Sequence, residues 1–122
     1  MEIITLQSNP FCVNSYIVSS NNKNAVIIDP GCQTKEEENI LIEKIKQNDI
    51  NPKYILLTHA HIDHILGCAF VQDFFNIDVL MHKDGEIFFQ TAPSYAQMFG
   101  MDSINIPKKI QHINANQKIE ID

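Results

Sequence analysis

Three of the five histidines in this 122-residue chain, and one aspartate, fall in a single short run, Thr58-His59-Ala60-His61-Ile62-Asp63-His64. Imidazole and carboxylate are the usual ligands of a catalytic zinc ion, and a His-x-His pair in extended chain turns both rings to one side. Asp63 and His64 follow where the chain turns toward a helix, so they can reach a second point nearby. Two metals held about 3.5–4 Å apart clamp a water between them and lower its pKa toward neutrality. The plainer readings are a solvated histidine cluster, or a closed structural zinc site using His64 and Cys68 one helical turn apart. A structural site prefers four nitrogen or sulfur ligands, and Asp63 fits that poorly.

Such a cluster needs elements to hold it. Lys53 to Thr58 reads as the strand that delivers it, and its nearly continuous apolar character predicts burial on both faces. Upstream, Glu2 to Leu6 and Ser15 to Val18 are β-branched or aromatic runs separated by Asn9-Pro10, which cannot continue a ladder. Asn21 to Asn24 is a polar turn before a third strand, Ala25 to Asp29, which Pro30-Gly31 stops. Thr34 and Glu37 have capping-box spacing, so a helix is expected from about residue 35, with Leu41, Ile42 and Ile45 as its buried stripe. Beyond the cluster, Ile65 to Phe75 predicts one buried helix and Asp78 to His82 a strand. Lys83 to Gln90 and Pro93 to Phe99 predict two further helices, and Ile110 to Asp122 two strands with one exposed face. The class is α/β with an early antiparallel part, in one domain over residues 1–122.

Composition narrows the function. With 9 lysines, no arginine, 15 acidic residues and a net charge of -6, the chain does not suit a nucleic-acid backbone. No apolar run is long enough to span a bilayer, so no membrane partner is expected. The start lacks a basic segment and the 3 cysteines form no paired spacing, so a reduced, cytoplasmic protein is expected. Cys32 and Cys68 read as structural, His82 as a surface residue, and Phe70, Phe74, Phe75, Phe88 and Phe89 as core.

The run His59-x-His61-x-Asp63-His64, followed after two residues by Gly67 and preceded by Leu56-Leu57-Thr58, resembles the metal motif of the metallo-β-lactamase-fold hydrolases. Asp29-Pro30-Gly31 is similar to that family's supporting aspartate turn, and Asn14 to Val18 to its opening strands. Met98-Phe99-Gly100 is similar to a segment of the small glyoxalase II-like members. The resemblance implies an αββα sandwich and two zinc ions, with iron possible. It implies His59 and His61 at the first metal and Asp63 and His64 at the second. Asp63 would also be catalytic, orienting the attacking hydroxide and managing its proton, while Asp29 and Thr58 support the ligands from beneath. The flavodiiron branch usually has glutamate where His61 stands, which weakens a redox reading.

By the same resemblance, a third histidine in a Gly-His-Thr/Ser-Pro-Gly setting, a bridging aspartate and a last histidine would follow the strand near Ile119. The sequence stops at Asp122, and His112 lacks that setting, so the chain resembles the amino-terminal half of such an enzyme. The expected function is hydrolysis of a thioester or similar small ester by metal-bound hydroxide, as in the hydroxyacylglutathione hydrolase branch. The substrate would be a small molecule, and the half alone would retain metal poorly and be inactive or nearly so. The alternatives are a persulfide dioxygenase-like mononuclear iron enzyme and a non-catalytic half-domain module; lactonase, β-lactamase and nuclease activities fit less well. Ile3, Ile17, Val26, Ile28, Ile55 and Leu57 are expected to form one apolar face built to be covered, which makes a homodimer a candidate.

Overall fold

In the computed structural model, which describes residues 1–101 and 104–122, Glu2–Ser8 (β1) and Val13–Ser19 (β2) form an antiparallel hairpin. Asn24–Ile28 (β3) pairs antiparallel with β2 after the polar turn. From there the chain changes mode. Asn51–Leu56 (β4), Asp78–His82 (β5) and Ile110–Ile113 (β6) each add in parallel, giving a six-stranded sheet ordered β1-β2-β3-β4-β5-β6.

Parallel neighbours require crossovers, and here helices supply them. Lys35–Gln47 (α1) joins β3 to β4, and Ile62–Ile65 (α2) with Cys68–Phe75 (α3) joins β4 to β5. Glu86–Met98 (α4), entered through a short 3₁₀ turn at Lys83–Gly85, precedes β6. Every crossover advances the same way along the sheet, so crossovers of one hand put their helices on one face. The core records this: Ile17, Ile27, Ile55 and Val79 of the sheet are fully buried against Leu41, Ile45, Val71 and Phe89 of the helices.

The opposite face of the sheet carries no helix among these elements, and this corrects two expectations. Ile17 pairs with Ile27 and Ile27 with Ile55, so these residues point to the helices, as does Leu57. Ile3, Val26 and Ile28 belong to the other register parity; Ile3 is 64% exposed, and Val26 and Ile28 are half-buried. The six residues expected on one face are therefore split between two, because side chains alternate along a strand. For the same reason β4 is fully covered on one face only: Ile55 is buried while Tyr54 and Leu56 are half-buried.

Three element boundaries also differ. The expected helix over Ile65 to Phe75 is broken at Leu66 and Gly67, because Gly67 packs against Cys32. A Cβ on Gly67 would lie 2.3 Å from the Cys32 sulfur, so the chain bends to bring bare backbone there. The two helices expected around Pro93 are one, α4, since Phe89, Ala92 and Ala96 form a continuous buried stripe that holds the helix together across the proline. In the tail only Ile110–Ile113 is a strand. Beyond it the chain leaves the sheet edge, and Asp122 accepts hydrogen bonds from Ser20 Oγ and Asn24 Nδ2 at the β2–β3 turn. No described helix is long and apolar enough to cross a membrane.

Candidate metal centre

Strands β3, β4 and β5 run parallel, so the loops that follow them open at the same end of the sheet, together with the β1–β2 turn. In open α/β sheets this carboxyl end is where ligand sites gather. All four residues of the motif lie there. His59 and His61 are exposed, while Asp63 and His64 are half-buried at the start of α2.

The support beneath them comes from Asp29, which is 3% exposed and sits just past β3 in left-handed backbone (φ 49°). Its carboxylate accepts a hydrogen bond from the Thr58 main-chain N–H at 2.8 Å and a second from the Thr58 hydroxyl. A third contact joins Asp29 Oδ2 to His64 Nδ1 at 3.0 Å. The Thr58 hydroxyl, which donates to Asp29, faces His59 Nδ1 at 3.0 Å with its acceptor lone pairs. These contacts engage Nδ1 of both imidazoles and leave Nε2 as the ring nitrogen each can offer to a metal.

The rings then converge. His59 and His64 have centroids 3.9 Å apart, and His59 and His61 meet edge to face at 4.7 Å. Asp63 Oδ2 lies 3.4 Å from His64 Nε2. Imidazole nitrogens and a carboxylate gathered this closely are ligand types that a metal cation draws together. A ligand atom from each of Asp29, His59 and His64 lies within 4.8 Å of the other two, but the Asp29 oxygens are already occupied by three partners. Asp29 therefore acts as the orienting group beneath the histidines. Burial, then the neighbouring charges of His64 and His61, push the His59 pKa below its ordinary value, against the opposing pull of Asp29 and Asp63. Neutral imidazole is the form that binds metal.

The loop itself is pinned by a residue the sequence offered only as a strand breaker. Asn9, in left-handed backbone at the β1–β2 turn, donates from Nδ2 to the carbonyls of Asp63 at 2.9 Å and Gly31 at 3.0 Å. A Cβ on Gly31 would lie 2.2 Å from a Val13 methyl and 2.9 Å from the Asp63 carbonyl, so only glycine lets the Asp29 turn approach this closely. Phe88, read as core, instead stands on α4 with its ring centroid 5.0 Å from that of His61. Its signal was its spacing from Phe89: two adjacent helical positions cannot share one buried face. His112 does not join the cluster; its Nε2 lies 3.6 Å from Glu86. Nor does Cys68 pair with His64 as a structural zinc ligand: its thiol is fully buried on the core side of α3.

Comparison with known proteins agrees with this geometry. Residues 9–113 match the family model described as "Metallo-beta-lactamase superfamily". The "Hydroxyacylglutathione hydrolase GloC" of Haemophilus influenzae is 32% identical over 106 residues, which is 86% of this chain and 48% of that protein. Among solved structures, BLEG-1 B3 metallo-beta-lactamase superposes with a TM-score of 0.81 at 31% identity, over 98% of this chain and 56% of that one. TTHA1623, solved in a di-iron-bound form, gives 0.80 at 25% identity, over 95% and 56% respectively. The chain thus spans about half the length of the relatives it matches.

Proposed function

Because the chain belongs to the metallo-beta-lactamase superfamily, we propose that it supplies the metal-holding half of a hydrolase acting on a thioester or similar small ester. The observation that carries this is the convergence of His59, His64 and the Asp63 carboxylate on a buried Asp29–Thr58 support that engages Nδ1 of both rings. That donor set fits a zinc ion, whose catalytic sites use imidazole nitrogen and carboxylate oxygen. His61, edge-on to His59, completes the group of four, with His59 and His61 assigned to one ion and Asp63 and His64 to a second. Iron is the competing metal, since TTHA1623 carries it.

A metal ion bound there supplies Lewis-acid activation of water and of the substrate carbonyl. The protein's own groups do the positioning. Asp29 and Thr58 engage Nδ1 of the two imidazoles and leave Nε2 to be presented, and Asn9 fixes the carbonyl of Asp63 and with it the loop. The Asp63 carboxylate, half-buried and open to the cleft, is placed to take a proton from the incoming water. Hydrolysis then forms the acyl C–O bond and breaks the C–S bond, and the proton leaves with the thiolate as thiol. The hydroxyacyl thioester is the first substrate to try, because the Haemophilus influenzae relative is named for it.

The test is thiol release from a hydroxyacylglutathione by the zinc-loaded full-length hydrolase to which this half belongs, with elemental analysis to identify the bound metal. Activity should vanish on chelation, and Asp63→Asn or His64→Ala should lower kcat/KM at least a hundredfold. Hydrolysis that survives chelation and Asp63→Asn alike overturns the proposal.

A further inference from the structure

Four of the large apolar side chains that remain exposed do not scatter over the surface but line one cleft beside the metal loop. Phe11 is 41% exposed, Phe88 36%, Tyr95 45% and Phe99 53%. They bound a cleft of about 320 Å³ that His61 and Asp63 also line. The sequence gives no reason to group them: Phe11 belongs to the β1–β2 turn, Phe88 and Tyr95 to α4, and Phe99 to its C-terminal cap. The topology does so, because the turn and α4 both stand at the carboxyl end of the parallel strands. The walls also hold one another in place: Phe11 and Phe99 meet edge to face at 5.2 Å, and Phe88 meets His61 in the same way at 5.0 Å.

Apolar side chains left in water cost free energy, so a grouped set of them bordering a reactive centre points to a ligand that covers them. None of the residues described as lining the cleft is a lysine, and its one acidic side chain is Asp63. Apart from His61, Asp63 and the Tyr95 hydroxyl its lining is apolar, so away from the metal loop it suits a hydrocarbon better than a carboxylate or phosphate. Its volume exceeds the roughly 150 Å³ that encloses a benzene ring, so a phenyl or branched aliphatic group fits with room to spare.

We propose that this cleft seats the substrate's acyl chain and selects acyl groups that are aromatic or branched-aliphatic over small polar ones. The inference rests on the hydrolase reading above and names the substrate class for that site. With the acyl carbon near the metal loop, a two- or three-carbon hydroxyacyl group would leave the aromatic walls wet, whereas a 3-phenylpropanoyl group would reach them.

Two measurements test it. In the first, the zinc-loaded full-length hydrolase to which this half belongs is given the acetyl and 3-phenylpropanoyl thioesters of one thiol, and the ratio of kcat/KM values is read. The expected preference for the phenyl substrate is roughly tenfold to a hundredfold, the scale of an added apolar group in a pocket. Phe99→Ala and Tyr95→Ala should each reduce that ratio severalfold. The second measurement follows the metal-free chain by NMR while neutral 4-phenylbutan-2-one, the ketone analogue of the phenyl substrate, is added. Ring resonances of Phe11, Phe88, Tyr95 and Phe99 should shift together, with saturation.

Hydrolysis of both thioesters at equal rates, or faster hydrolysis of the acetyl compound, without ring shifts overturns the acyl-cleft assignment and leaves the hydrolase reading standing. Saturable ring shifts with no hydrolysis of either thioester overturn the hydrolase reading and the acyl role together. Ring shifts with the predicted preference support both.

Discussion

A single carboxylate organises the candidate centre. Asp29 accepts hydrogen bonds from a main-chain N–H and a hydroxyl and pairs with an imidazole, and through them decides which nitrogen of His59 and His64 is engaged. Asp29→Asn keeps the tolerance of left-handed backbone but puts an NH₂ group where acceptors are needed. It should cost about 2–4 kcal/mol in urea unfolding, the scale of buried charge-assisted bonds replaced by a clash of donors. It should also weaken zinc affinity about tenfold to a hundredfold, the usual effect of losing a group that orients a ligand. A fully stable variant with unchanged affinity would remove Asp29 from this role. The cysteines give a separate check. Burial, then Glu38, push the Cys32 thiol up to about 12, and burial and Asp29 raise that of Cys68 as well. In native buffer at pH 8, Ellman's reagent should titrate exposed Cys12 alone, and all three thiols only after unfolding in guanidinium. At this scale the sequence was easiest to read where the groups are contiguous, as in His59 to His64. Asn9 was illegible because it acts through a hydrogen bond to a main-chain carbonyl 54 positions away, a contact that leaves no pattern of residue types.

Elements position what residues then do, and α1 shows how one cap serves two ends. Thr34 and Glu37 form the capping box that their spacing predicts, with Thr34 Oγ1 accepting from the Glu37 N–H. Glu37 also accepts from the Asn9 N–H, at 2.6 Å, and so ties the helix start to the turn that holds the metal loop. Burial would raise the Glu37 pKa, but the hydrogen bonds from Gln33, Asn9 and Thr34 outweigh it and hold the carboxyl below its ordinary value. A carboxylate depressed in this way stabilises the fold above its unfolded-state pKa, and the stabilisation is lost as pH falls through the folded value. Glu37→Gln should therefore lower the urea midpoint by the equivalent of about 1–2 kcal/mol at pH 7, with the gap from wild type closing toward pH 3. A gap that does not change with pH would mean the charge plays no part. The cap was legible because it is local, three residues wide. The break at Gly67 was not: it is imposed by Cys32, a residue on another segment, and the unbroken run of α4 through Pro93 is likewise decided by the surface on which the helix lies.

On the scale of the molecule, one face of the sheet is covered by helices and the other, here the open face, is not. Leu80 on that open face is nonetheless buried, in a region that Lys118, Ile119 and Asp122 of the tail also line. Tyr16, Val18, Val26, Ile28, Tyr54 and Leu56 on the open face are half-buried, and Ile3 is fully outward. We expect the isolated chain to self-associate through this face, giving a light-scattering mass above the 13.9 kDa of one copy, and Val26→Lys with Ile28→Lys to restore that value. A monomeric wild type at high concentration would show that the face needs no cover. Which residues are apolar was readable from the sequence, whereas which face each one joins depends on register, and a slip of one position exchanges the faces. The order of the strands carries a different consequence, one of timing. Each strand pairs with the one made just before it, so no segment must wait for a distant partner, and a chain emerging from the ribosome can build its sheet in the order of translation. Asn9, Asp29, Gly31, Thr58, His64 and Gly67 all precede α3, so the frame of the metal loop is synthesised before β5 and β6. A nascent chain would thus hold every residue of that frame before α4, whose Phe88 stands against His61, has been made.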